Sequence, residues 1–179
     1  MDNAAHWHLL VNHFPIIGPV LAVPLLVLTL VLRKERGLLL ASVFLLVVTA
    51  ATGWLSLATG EKAETMFDNN ETKDWYEPFA EAGVEEHSDR AERAMYAAVP
   101  TAVLGLVVLV LARRRTTENP LPRIWIVALL AGAAATSGAM GWAGNAGGVI
   151  MHREIRGDSL DSTVKKTDAK EHEAEDHPK

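Results

Sequence analysis

The fold is decided where the chain enters its first long apolar run, with the sequence HWHLLVNHFP at residues 6–15. This stretch places three histidines at the start of a segment that stays apolar through residue 32. An apolar segment of about 20 residues is long enough to cross the hydrocarbon core of a bilayer as a helix. The stretch therefore predicts a membrane helix with imidazoles close to one of its ends.

The hydrophobic residues, which make up 49% of the 179-residue chain, are concentrated in four runs. These runs cover approximately residues 13–32, 38–58, 94–112 and 124–143. We therefore expect residues 1–157 to form an all-α, integral membrane four-helix bundle. Residues 158–179 are mostly charged and polar, and this composition is typical of a disordered tail.

Basic residues predict how the bundle is oriented. The connections at residues 33–36 and 113–123 are short and rich in Lys and Arg, which is typical of cytoplasmic loops. Both termini would then lie on the periplasmic side of a bacterial inner membrane. The connection at residues 60–92 carries eleven acidic and three basic residues and is expected to be an external loop. The formal net charge of −5 reflects this loop and the tail, and indicates no nucleic-acid partner.

The two halves of the chain look like duplicated helical hairpins. Residues 22–24 and 98–100 both read Ala-Val-Pro, and residues 49–54 resemble residues 137–142. Small residues recur at helical spacing in the second and fourth runs, including Gly53 and Gly141. Such stripes commonly let helices pack closely in lipid. The alternative is a slot for a flat ligand, which makes Gly53 and Gly141 candidate cofactor contacts.

Four histidines are expected to converge at the periplasmic end of the bundle. His8 and His13 open the first helix, and His87 precedes the third run in register with a stripe of alanines. His152 follows glycines that we expect to end the fourth helix and to fold the chain back over the bundle. A rise of about 1.5 Å per residue places His8 and His87 nearly level, with His13 about two turns deeper.

These four histidines are candidate ligands of a b-type haem. The chain has no cysteine, which excludes disulfides, thiolate metal sites and covalently attached haem. Neutral imidazoles from different helices can ligate a non-covalent haem between them. Two ligand pairs, His8 with His87 and His13 with His152, would hold two haems. The function favoured by this pattern is electron transfer in the membrane.

Two other functions are also consistent with the sequence. The same imidazoles, with Glu86 or Glu154 as oxygen ligands, are suited to Zn or Cu in a transition-metal binding or transport protein. The histidines would instead make hydrogen bonds between helices in an accessory subunit of a larger membrane complex. No nucleophile lies beside these bases in a catalytic motif, so an electron carrier or a subunit is favoured over an enzyme.

The sequences HLLVNHFPI at residues 8–16 and GGVIMH at residues 147–152, together with His87, resemble a family of small four-helix bacterial membrane proteins of unknown function. The resemblance covers residues 6–157. Its most specific element is the His-x4-His-Phe-Pro opening, while the Gly-Gly…His ending is less specific by itself. Residues 152–156 are similar to one subgroup. The resemblance implies a link to respiratory chemistry and to a redox partner, because related domains occur joined to c-type cytochrome modules.

Overall fold

The computed structural model describes residues 4–32, 36–68, 78–116 and 120–151. Five helices make up this part of the chain: α1 Ala4–Val11, α2 Phe14–Leu32, α3 Arg36–Asp68, α4 Pro78–Arg113 and α5 Arg123–Met151. The described residues contain no β-strand. The prediction of an all-α fold is confirmed.

The four long helices pack as a closed ring. Contacts join α2 to α3, α3 to α4, α4 to α5 and α5 back to α2, while α1 packs on α3. Helices that follow one another along the chain are therefore neighbours in space, as in an up-and-down bundle. As a result, α4 lies diagonally across the bundle from α2, and α5 lies diagonally across from α3.

Four segments of these helices are long and apolar enough to cross a membrane: His6–Leu32, Arg36–Ala63, Gly83–Arg113 and Arg123–Ile150. Large apolar side chains also cover the outside of the bundle, with Val31 70%, Phe44 64% and Ile124 67% exposed. Apolar side chains on this scale suit contact with lipid and not with water. These features identify a multi-pass membrane protein.

The helices are longer than the apolar runs at the end that carries the histidines. Helix α3 continues to Asp68 and α4 already begins at Pro78, so helix occupies much of the segment 60–92 that we expected to be a loop. Glu, Lys and Ala favour helix, and a helix that leaves the bilayer need not stay apolar. The expected end of the fourth helix at its glycines is wrong, because α5 remains helical through Met151.

A break between α1 and α2 interrupts the first span at Asn12 and His13. Pro15 has no N–H to donate to the Val11 carbonyl, and its ring crowds that carbonyl, so α1 ends at Val11. The next helix restarts from the His13 carbonyl, which accepts from the Ile17 N–H at 3.0 Å. The break changes the direction in which side chains on α1 point relative to α2.

The bundle core changes in character along its length. In the half near the arginine-rich connections it consists mainly of large side chains, including Leu26, Leu46 and Leu129. In the half near the histidines the buried cluster is Ala94, Met95, Ala98, Met140 and Ala143. The core at the histidine end is therefore built from small residues, which let helices pack closely, and from flexible methionines, which fill irregular gaps.

Candidate cofactor site

His8 is held against α3 by a hydrogen bond to the backbone. Its Nδ1 lies 3.0 Å from the Ser56 carbonyl oxygen, and the Thr59 hydroxyl is 3.5 Å from the same nitrogen. The residue is half-buried, on the same side of α1 as the buried Val11. Helix α1 therefore directs this imidazole toward the bundle.

His87 makes the same kind of contact in the other half of the molecule. Its Nδ1 lies 2.9 Å from the Ala143 carbonyl oxygen on α5, and the residue is also half-buried. His87 shares a face of α4 with the buried residues Ala94 and Ala98. The predicted register of this histidine with an alanine stripe that faces the bundle is confirmed.

Each imidazole also packs over a glycine one turn beyond its carbonyl acceptor. A Cβ atom added to Gly60 would lie 3.3 Å from Cε1 and Nδ1 of His8. A Cβ atom added to Gly147 would lie 2.9 Å from Cε1 and 3.1 Å from Nδ1 of His87. Both rings therefore occupy space that a side chain would fill at any residue but glycine. This contact also explains why α5 tolerates glycine here, since tertiary packing outweighs its low helix propensity.

The two hydrogen bonds determine which ring nitrogen of each histidine is available. A carbonyl oxygen can only accept, so Nδ1 is the donor in both rings. In a neutral imidazole the other nitrogen, Nε2, then carries a lone pair and no proton. His8 and His87 are thus each fixed in the tautomer in which Nε2 can bind a metal ion.

The two histidines lie at the same end of the bundle. They are close enough for a positive charge on one ring to interact with a charge on the other. His8 contacts α3 and His87 contacts α5, two helices that lie diagonally opposite each other in the ring. The expectation that His8 and His87 lie nearly level agrees with this proximity.

Met95 and Met140 belong to the buried cluster that includes Ala143, whose carbonyl accepts from His87. Both are buried, and a Cβ atom added to Gly53 would lie 2.5 Å from Sδ of Met95 and 3.8 Å from Cε of Met140. Gly53 therefore faces the interior, as its place in the small-residue stripe predicts. Gly141 is instead exposed, and an added Cβ would meet nothing within 4 Å.

Of the other predicted ligands, His13 and Glu86 are described, and neither is directed to this site. The His13 side chain is exposed at the break between α1 and α2, where the residue contributes its carbonyl to the start of α2. Glu86 is also exposed and forms an ion pair with Arg90. His152 and Glu154 lie outside the described residues, so the predicted pair of His13 and His152 stays a prediction.

Arg90 joins α4 to α5 one helical turn from His87, and no sequence motif predicts this contact. Its guanidinium stacks 4.6 Å from the ring centroid of Trp142, and Nη1 lies 3.4 Å from the Trp142 carbonyl oxygen. Glu86 pairs with the same guanidinium one helical turn away. These contacts tie the outer ends of α4 and α5 together next to His87.

Asn12 is a second residue that sequence reasoning did not assign. Its side-chain oxygen is buried and has no hydrogen-bond partner among the described residues. The residue follows His8 by one turn, and its backbone N–H donates to the His8 carbonyl at 3.0 Å. A buried oxygen without a donor costs about 1–3 kcal/mol, so a donor group of a bound molecule or water would be stabilising here.

The donor set decides which metal chemistry fits. Among the described residues, no group of three or more His, Cys, Asp or Glu side chains comes together in a way that would hold a metal ion. A structural zinc site needs four protein ligands and a catalytic one needs three. Two imidazoles with free Nε2 atoms are ligands that would suit a haem iron, whose other four ligands would come from the porphyrin.

Comparisons with known proteins do not assign the chain to a family. No family model, no curated protein and no solved structure matches it. The resemblance of residues 6–157 to a family of small bacterial membrane proteins therefore stays a prediction. The function has to be inferred from the chemistry of the described residues.

Proposed function

We propose that this protein is a membrane-bound electron-transfer protein that holds a b-type haem between His8 and His87, near the periplasmic face. The observation that carries the proposal is the pair of Nδ1 hydrogen bonds to Ser56 and Ala143, at 3.0 and 2.9 Å. These bonds orient two imidazoles with their Nε2 atoms free, and they attach the rings to α3 and α5, which lie diagonally opposite each other in the ring of helices. A bis-histidine haem supplies one-electron chemistry to such a site.

The residues around the two rings are small or apolar, which is the environment that a non-covalent macrocycle would need. Gly60 and Gly147 carry no side chain where they meet the rings, and the buried residues nearby are mainly alanines. Met95 and Met140 add flexible, apolar atoms that adapt to the shape of a ligand. A macrocycle in this part of the bundle would be held without any covalent bond, because the chain contains no cysteine.

The matched environments of the two histidines support a duplicated hairpin. Ser56 and Gly60 on α3 stand in the same relation to His8 as Ala143 and Gly147 on α5 do to His87. In each half, the histidine lies near the start of the first membrane span and contacts the far end of the second. Under this proposal each half contributes one axial ligand, and the two halves are related by an axis along the membrane normal.

Orientation and location belong to the same proposal. The basic connections favour an orientation in which both termini lie in the periplasm of a bacterial inner membrane. A haem at the histidine end would then lie close to the periplasmic surface, where a soluble or membrane-bound redox partner can approach it. The exposed side chain of His13 offers no support for a second haem on His13 and His152.

The proposal is tested by the haem content of histidine variants expressed in the same membrane. His8→Ala and His87→Ala should each remove most of the bound haem, or change it from low spin to high spin, because an iron–nitrogen bond is lost. His6→Ala is the matched control, since His6 lies on the same helix with an exposed side chain. Its haem content should equal that of the wild type.

Three other outcomes would count against the proposal. Wild-type haem content in both the His8 and His87 variants would exclude them as ligands. Stoichiometric Zn or Cu in the wild type that is lost in both variants would favour the metal-binding or transport alternative. Loss of a co-purifying membrane subunit, without any change in cofactor, would favour an accessory subunit of a larger, respiratory complex.

A further inference from the structure

A groove opens between α3 and α4 at the end of the bundle opposite the histidines. It has a volume of about 290 Å³, and its apolar walls are formed by Leu39, Leu40, Leu109 and Ala112. Leu40 is 50% exposed, so the groove lies at the surface that faces the surrounding lipid. An apolar channel of this kind is suited to a hydrocarbon chain.

Positive charge is concentrated where this groove ends. Arg36, the first residue of α3, and Arg113, the last residue of α4, both line it. The guanidinium of Arg36 donates to the Arg115 carbonyl at 2.9 Å, which fixes the side chain next to the connection after α4. The described residues at this end include no acidic residue, and neither Arg36 nor Arg113 forms an ion pair with a described residue.

We propose that this groove binds an anionic phospholipid, with the headgroup phosphate on Arg36 and Arg113 and an acyl chain along Leu40, Leu109 and Ala112. Arginine presents several N–H donors to phosphate oxygens in a fixed plane, which suits this contact. Basic pockets between membrane helices attract anionic headgroups for the same reason. The apolar walls favour a lipid over a free phosphate ion, because only a lipid also fills the groove.

Binding is measured by native mass spectrometry and by thermal unfolding of the full chain. The protein is placed in detergent with added phosphatidylglycerol, with added phosphatidylcholine, or with inorganic phosphate. Phosphatidylglycerol should remain bound and raise the unfolding temperature, because a ligand that binds only the folded state stabilises it. Phosphatidylcholine and inorganic phosphate should have little effect.

Two variants separate the headgroup contact from the acyl-chain contact. The double substitution Arg36→Gln and Arg113→Gln should weaken phosphatidylglycerol binding roughly tenfold or more, at about 1 kcal/mol per arginine. Gly37→Phe should block the groove while keeping both charges, since Gly37 lines it and an added Cβ meets nothing within 4 Å. Both variants should retain the unfolding temperature that the wild type has without lipid.

Matched controls decide whether the groove itself is responsible. Arg114→Gln removes a charge at the same end from a residue that does not line the groove. Gly138→Phe adds an aromatic ring at an open position of α5. Both should bind phosphatidylglycerol like the wild type. Equal weakening by Arg114→Gln, equal binding of phosphatidylcholine, or undiminished binding to Gly37→Phe would overturn the proposal.

Discussion

Gly147→Ala tests the packing of His87 with a single added methyl group. In an unobstructed helix, replacing glycine with alanine stabilises by about 1 kcal/mol, because alanine loses less backbone entropy. At Gly147 the new Cβ would lie 2.9 Å from Cε1 and 3.4 Å from Nε2 of His87. Carbon atoms in favourable contact are about 3.5–4.0 Å apart, so the ring must move.

The energetic effect of that movement follows from the contacts of the ring. The imidazole is attached to the Ala143 carbonyl by its Nδ1 hydrogen bond, whose loss costs about 0.5–1.5 kcal/mol. Overpacking a well-packed site costs a further ~1–3 kcal/mol. These two penalties together exceed the gain in helix propensity. We therefore expect Gly147→Ala to lower the free energy of unfolding by about 1–3 kcal/mol.

The assay compares reversible unfolding of Gly147→Ala with that of Gly138→Ala and the wild type in the same detergent. Gly138 lies on the same helix, is exposed, and has no atom within 4 Å of an added Cβ. The control should thus be as stable as the wild type or slightly more stable, so the two glycines should respond with opposite sign. Equal stability of the two variants would refute the packing of His87 over Gly147.

Three further predictions follow from other parts of the molecule. Gly18→Ala should lower the free energy of unfolding by about 1–3 kcal/mol in the same assay, because the added Cβ would overlap the hydroxyl of the buried Thr49. Unchanged stability would mean that α2 lies farther from α3. A double-mutant cycle of Arg90→Gln and Trp142→Ala should show about 0.5–1 kcal/mol of coupling from the stacked pair, and no coupling would mean that the stack does not form. A C-terminal alkaline phosphatase fusion should be active and a C-terminal green fluorescent fusion dark, whereas the reverse pattern would invert the proposed orientation.

The number of spans could be read from the sequence, but the ends of the helices could not. Hydropathy identifies the four apolar cores because each must match the bilayer thickness. Hydropathy does not detect the charged ends of these helices: α3 continues to Asp68, and α4 already begins at Pro78. The glycines before Met151 signal a helix end by propensity, and only the contact of Gly147 with His87 explains why α5 continues.

The sequence predicts how deep the histidines of the candidate site lie in the membrane, but not which groups they contact. Counting the helix rise from the basic connections predicts that His8 and His87 lie at one level. The charge interaction between the two rings is consistent with that prediction. Their carbonyl acceptors, on Ser56 and Ala143, were not predictable because any residue supplies a carbonyl.

The sequence match between residues 49–54 and 137–142 aligns the two halves with an error of one residue. That pairing sets the buried Gly53 against the exposed Gly141, whereas the carbonyl acceptors and the two ring-packing glycines align one residue earlier on α5. One residue turns a helix by about 100°, enough to exchange an interior position for an exposed one.

The proposed haem site is tested most directly by the reduced-minus-oxidised absorption spectrum of the full-length protein, purified from membranes of cells supplied with a haem precursor. Two axial imidazoles predict a Soret band and, on reduction with dithionite, the sharp α and β bands of a six-coordinate, low-spin b-type haem. A featureless spectrum from protein that is folded and purified from haem-sufficient cells would contradict the assignment of His8 and His87 as haem ligands.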